Sequence, residues 1–178
     1  MLRRLGLALI FTFCLSPAVS AADLSIKAFA GKWQGNAISQ SNISVNFRLT
    51  NRDIDVEIRP AGNGFEITWK TVQRQRGNPD NPSEVLRETS LTFNAVRPNV
   101  WEAAGNGDPV RGGDAYAWAY IKEQTLVINS LQIYADGRHE IQIYRRRLVG
   151  TGMELEFIRN VSGEEVRTAS GLLVKVAK

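Results

Sequence analysis

Hydrophobic and polar residues alternate with a period of two along most of this chain. Ile43, Val45, Phe47 and Leu49 share one parity, against Ser44, Asn46, Arg48 and Thr50 on the other. Ile54, Val56 and Ile58 then alternate with Asp53, Asp55, Glu57 and Arg59, and Phe65, Ile67 and Trp69 follow the turn-forming run Pro60-Ala61-Gly62-Asn63-Gly64. The pattern continues through Leu91, Phe93 and Ala95, through Ile141 and Ile143, through Met153, Leu155 and Phe157, and through Val166 to Val176. Successive side chains of a strand point to opposite faces, so this period predicts half-buried β-strands. Asp136-Gly137, Gly150-Thr151-Gly152 and Ser162-Gly163 provide hairpin turns between them. The spacing predicts an all-β fold: a single up-and-down antiparallel β-barrel of about 8–10 strands, whose closure leaves no exposed edge. The one helical candidate is Leu24 to Phe29. Two longer segments, Gly77 to Ser83 and Gly105 to Asp114, have the composition of loops.

Residues 115–121, Ala-Tyr-Ala-Trp-Ala-Tyr-Ile, carry the alternation in its sharpest form. Tyr116, Trp118 and Tyr120 share one face, and Ala115, Ala117 and Ala119 the other. A barrel of this size must be filled by large side chains or by a ligand, so the rings are expected to face the interior. Rings on the outside would instead form an exposed aromatic stripe of the kind that marks an interface.

The first 21 residues stand apart from this pattern. Arg3 and Arg4 precede the apolar run Leu5 to Leu15, and small residues follow at Pro17 to Ala22. That is the layout of a secretory signal peptide cleaved after Ala21, leaving residues 22–178 as one barrel domain with no transmembrane segment. Cleavage removes Cys14, the sole cysteine. A cysteine-free exported domain fits a bacterial periplasmic or secreted location better than an oxidising eukaryotic one. It also removes two of the 22 basic residues, so the net charge falls from +4 to about +2, and no basic stripe suggests a nucleic-acid partner.

Phe29-Ala30-Gly31-Lys32-Trp33-Gln34-Gly35 resembles the G-x-W opening of the calycins, the lipocalins and fatty-acid-binding proteins. Asp136-Gly137-Arg138-His139-Glu140-Ile141-Gln142-Ile143-Tyr144-Arg145 is similar to the late hairpin of the fatty-acid-binding proteins, which runs through a glycine turn into E-x-x-x-x-R. The resemblance implies a calycin-like barrel with Trp33 closing its floor and Arg145 meeting a ligand head group. Two departures separate the chain from fatty-acid carriers. No helix pair follows the first strand, and Ser170-Gly171-Leu172-Leu173 stands where those carriers have a carboxylate-clamping R-x-Y.

Candidate chemistry is sparse. His139 is the only histidine, which excludes a multi-histidine metal site, and its place just after the Asp136-Gly137 turn, where exposure is expected, speaks against a Ser-His-Asp triad. Asp53, Asp55 and Glu57 lie together on a polar face, as do Glu154 and Glu156, and solvated neighbours of this kind do not make an acid–base pair. The chain therefore reads as a non-enzyme, with no catalytic residues, metal or cofactor. Arg145 shares the parity of Ile141 and Ile143, and Arg87 that of Thr89, Leu91 and Phe93. An arginine on an apolar face must find a carboxylate, the barrel mouth or an anionic ligand. The leading reading is an exported barrel that binds a small apolar or amphipathic ligand through Trp33, Trp69, Arg87, Phe93, Trp118 and Arg145. The alternative is a protein-interaction module, such as a periplasmic protease inhibitor or accessory subunit. It would act through residues 22–30 as an N-terminal arm, by likeness to exported inhibitor barrels, or through an exposed aromatic stripe.

Overall fold

A computed structural model describes residues 22–44, 48–74 and 84–176; residues 1–21, expected as a signal peptide, and Gly77 to Ser83, expected as a loop, lie outside them. The short helix α1 (Ile26–Phe29) precedes ten strands: β1 (Gly31–Ser41), β2 (Leu49–Ala61), β3 (Gly64–Arg74), β4 (Glu84–Arg97), β5 (Val100–Ala103), β6 (Tyr116–Lys122), β7 (Thr125–Ile133), β8 (His139–Val149), β9 (Gly152–Val161) and β10 (Glu164–Val176). Each strand pairs antiparallel with its neighbours in sequence, and β1 pairs with both β2 and β10, closing a ten-stranded up-and-down barrel. No helix among the described residues is long and apolar enough to cross a membrane.

Two strand assignments change. In the stretch Ile43 to Leu49 the described residues before Leu49 are not in a strand: β1 ends at Ser41, residues 42 and 43 bend, and β2 starts at Leu49, while residues 45–47 lie outside the described residues. Strand β5 is four residues long, too short for its alternation to stand out.

One end of the barrel is sealed. Strand pairs meet there through two-residue turns at Gly62-Asn63, Pro98-Asn99, Glu123-Gln124 and Gly150-Thr151. The α1 segment folds beneath them, held by the Leu24 amide donating to the Glu123 carbonyl at 2.8 Å. Phe29 is fully buried, and its carbonyl accepts the Trp33 indole N–H at 2.9 Å. Phe65 stacks on Phe93 at 4.9 Å and meets Trp101 edge-on at 5.3 Å. This aromatic floor supplies both the large apolar area that drives folding and the ring geometries that favour a single packing.

The floor also decides the orientation of β6. Trp101 points inward and is paired on one side with Ala95 and on the other with Ala119, so its indole occupies the space that two alanines leave. Ala117, Ala119 and Ile121 are buried on the inner face, and Tyr116, Trp118 and Tyr120 stand half-exposed outside. The inward expectation for the three rings is thereby corrected. The barrel at this wall is already filled from the neighbouring strand.

Candidate functional site

The opposite end of the barrel contains a cavity of about 400 Å³, within the usual range for small-molecule sites. Its inner part is apolar and aromatic, with Ile54 on β2, Trp69 on β3, Tyr144 on β8, and Leu155 and Phe157 on β9. The Tyr144 ring lies 5.0 Å from Trp69 and 4.7 Å from Phe157. Ser39, Thr71, Thr89 and Gln142 add polar groups to the wall.

Five arginines line this space, Arg52, Arg87, Arg146, Arg159 and Arg167, against one lining carboxylate, Glu140. Arg159 donates to Glu140 at 2.6 Å, and that carboxylate also accepts from Tyr134 at 2.8 Å and from Gln142 at 2.5 Å. Gln142 in turn accepts the Tyr144 hydroxyl at 2.6 Å, so a hydrogen-bonded chain descends the β8 wall from the mouth to the middle of the cavity. The Arg159 hydrogen bond is the main reason that Glu140 is held down at about 2, against the opposing effect of its burial.

The other four arginines have no carboxylate partner among the described residues. Arg146 is 1% exposed, with its guanidinium 5.2 Å from the Trp69 ring centroid and 5.5 Å from that of Tyr144. Its Nε and Nη1 atoms are buried without a hydrogen-bond partner. Burial pushes Arg146 well below its ordinary value, to about 10, and raises the Tyr144 phenol to about 12. Arg52 is lowered by burial and then by the like charges of Arg167 and Arg87; Arg167 is lowered by burial and then by Arg159 and Arg87. Cations that repel one another in a half-dry pocket are stabilised by an anion placed among them.

Of the six residues singled out in the sequence, Trp69 and Arg87 stand on the cavity wall. Trp33 and Phe93 are packed in the floor beneath it. Trp118 and Arg145 lie on the outer surface, where Trp118 pairs in register with Glu102 and Asn129. Arg145, with its side chain 41% exposed, donates to Glu156 at 2.8 Å. The orientation expected for Arg145 is therefore corrected by one residue. On β8 the inward side chains are Glu140, Gln142, Tyr144, Arg146 and Leu148, so Ile141, Ile143 and Arg145 face out. His139 begins β8 with the outward parity and is absent from the cavity wall. In the loop before β6, Asn106 bonds both backbone groups of Ala117, and Asp108 accepts the Val110 and Arg111 amides. Those side chains hold the loop. No cluster of His, Cys, Asp or Glu able to hold a metal occurs among the described residues.

The fold is shared with proteins of known structure. The S-type phycobiliprotein lyase CPES from Guillardia theta superposes with a TM-score of 0.58 at 11% identity, over 87% of this chain and 94% of that one. A protein of unknown function of the DUF3598 family, from Nostoc punctiforme, superposes with a TM-score of 0.58 at 13% identity, over 92% of this chain but 53% of the other. No family model and no curated protein matches the sequence. The sequence reading that this is not an enzyme, drawn from the scarcity of histidine and cysteine, is corrected here, since a phycobiliprotein lyase shares this barrel. Counting histidines and cysteines excludes particular catalytic constellations; it does not exclude catalysis by a barrel that holds its substrate among arginines, tyrosines and a glutamate.

Proposed function

We propose that this protein is a calycin-like barrel that binds a small amphipathic anion in its open-ended cavity. The observation that carries the reading is Arg146, a charge buried in an aromatic pocket without a carboxylate partner among the described residues and with Nε and Nη1 making no hydrogen bond there. A guanidinium in such a place weakens the empty fold and is compensated when a ligand carboxylate reaches it. Trp69 and Arg87 belong to this site, and Arg52, Arg159, Arg167 and Tyr144 join them. Sharing a barrel with a phycobiliprotein lyase supports a small-molecule pocket, and chemistry on the bound molecule is compatible with it. Export to a bacterial periplasm or medium is part of the proposal and rests on Arg3, Arg4 and the apolar run after them.

Titration of the Trp69 fluorescence with dodecanoate and with dodecanol tests the reading. Dodecanoate is expected to bind, and dodecanol to bind at least about tenfold more weakly, as for loss of a charged hydrogen bond. Equal affinity for the alcohol, or no binding of either, would refute it.

A second reading is favoured by the outer face. Tyr116 continues in register into Leu131 and Ile141, and Trp118 continues through Asn129 into Ile143 and Ile158, a mainly apolar surface crossing four strands beside the Arg145–Glu156 pair. Such a surface suits a protein partner. The N-terminal arm is less suited, because Phe29 is buried in the floor and Leu24 is tied to Glu123. Replacing Trp118 by Ser should abolish any self-association or partner binding while leaving dodecanoate affinity intact; loss of both together would count against a separate surface.

A further inference from the structure

The positive charge of the cavity is divided between two levels. Arg146 marks the inner level, paired in register with Leu126 and Leu155. Arg159 lies opposite Gln142, four residues nearer the mouth, and Arg167 lies opposite Ser41 at the last residue of β1. Four residues of strand span roughly 13 Å. Between the levels the wall is Trp69, Tyr144 and Phe157.

The two levels also differ in how they are neutralised. Arg159 has Glu140. Arg52, Arg87 and Arg167 face the mouth from β2, β4 and β10 without a carboxylate partner among the described residues. A ligand with one anionic end leaves one level unserved. Head at the mouth and tail inward, it would cover Arg146 with methylene groups and leave its buried charge unpaired. Head inward, it would leave the three mouth arginines facing each other across an apolar tail.

We propose that the ligand is anionic at both ends of an apolar body, in the manner of an α,ω-dicarboxylate, with one carboxylate at Arg146 and the other among Arg52, Arg87 and Arg167. This rests on the ligand-binding reading above and specifies its chemical class. The planar, forked guanidinium suits carboxylates at both levels.

Isothermal titration of the mature protein with straight-chain diacids from butanedioate to hexadecanedioate, each beside the monoacid of equal carbon number, tests it. One diacid length is expected to bind about tenfold or more tighter than its monoacid, the advantage falling away at shorter and longer chains. In the double variant Arg52→Gln, Arg167→Gln the diacid should lose more affinity than its monoacid, so that the advantage disappears, and Arg52→Lys, Arg167→Lys should restore part of it. Equal affinity of diacid and monoacid at every length overturns the two-ended ligand and leaves the ligand-binding reading standing. A diacid advantage independent of length reflects general attraction to a cationic mouth, and it also overturns the inference. Binding of neither series overturns both readings. An advantage that survives the double glutamine variant shows that the second carboxylate lies elsewhere.

Discussion

Replacing Arg146 by Met should make the empty protein more stable. Methionine keeps an unbranched stem of adaptable shape and removes the charge. Burial holds Arg146 at about 10, well below its ordinary value, which at ~1.36 kcal/mol per tenfold change in acidity corresponds to about 3 kcal/mol of destabilised charge. At neutral pH the group is protonated in both folded and unfolded chains, so the folded state carries that whole penalty. Set against it are the contacts of the guanidinium with the Trp69 and Tyr144 rings, worth roughly 0.5–2 kcal/mol. The net expectation is a gain of about 1–2 kcal/mol. Urea unfolding at pH 7, followed by far-ultraviolet circular dichroism, measures it as a higher midpoint at unchanged slope. The sign of the pH dependence follows from the lowered value. Folded Arg146 releases its proton first as the pH rises past about 10, so the advantage of the variant shrinks above that pH. The same variant should lose dodecanoate affinity, a site bought at the expense of stability. A variant less stable than the parent by about 1 kcal/mol or more at pH 7 would refute the reasoning, because the guanidinium would then be contributing to the fold rather than straining it.

Glu140 should confer an acid-sensitive increment of stability. Its lowered value of about 2 against 4.5 means that stability present at neutral pH is lost as the pH falls through that window, and Glu140→Gln should flatten the dependence there. Trp33→Ala should cost about 3–5 kcal/mol as a buried aromatic of the floor, and Trp118→Ala clearly less, as a half-exposed one; paired denaturation curves check the order. Acrylamide should quench Trp118 readily, seen as the difference between parent and Trp118→Phe spectra. Gly64→Ala should fail to fold or lose several kcal/mol, because a Cβ there would lie 1.8 Å from the Phe93 carbonyl oxygen.

The closed meander was legible because strand period and hairpin turns are local properties, and ten of them in series leave few ways to satisfy the backbone. The face each strand turns inward was not. Reading it from hydrophobicity assumes an apolar interior, which holds at the aromatic floor and reverses around the cavity, where β8 presents Glu140, Gln142 and Arg146 inward and turns Ile141 and Ile143 out. Because the side-chain period is two, that single inversion moves the assignment from Arg146 to Arg145. On β6 the decisive fact is the neighbour Trp101, which lies on a strand too short to announce itself.

The sequence nonetheless contains a signal that fixes the parity of β8. Gly150-Thr151 is a two-residue turn, which sets Val149 against Gly152 and every later pair with it. Counting outward from the turn places Arg147 opposite Glu154 and Arg145 opposite Glu156, and both pairs form ion pairs on the barrel surface. Arg146 falls between them, opposite Leu155. Two arginines matched by two glutamates leave the third without a partner and on the other face. Charge complementarity across a hairpin whose register is known is therefore a better guide to the inner wall of a ligand-binding barrel than hydrophobicity, since opposite charges directly across a strand pair favour solvent, while the unmatched arginine is the one that a bound anion would have to answer.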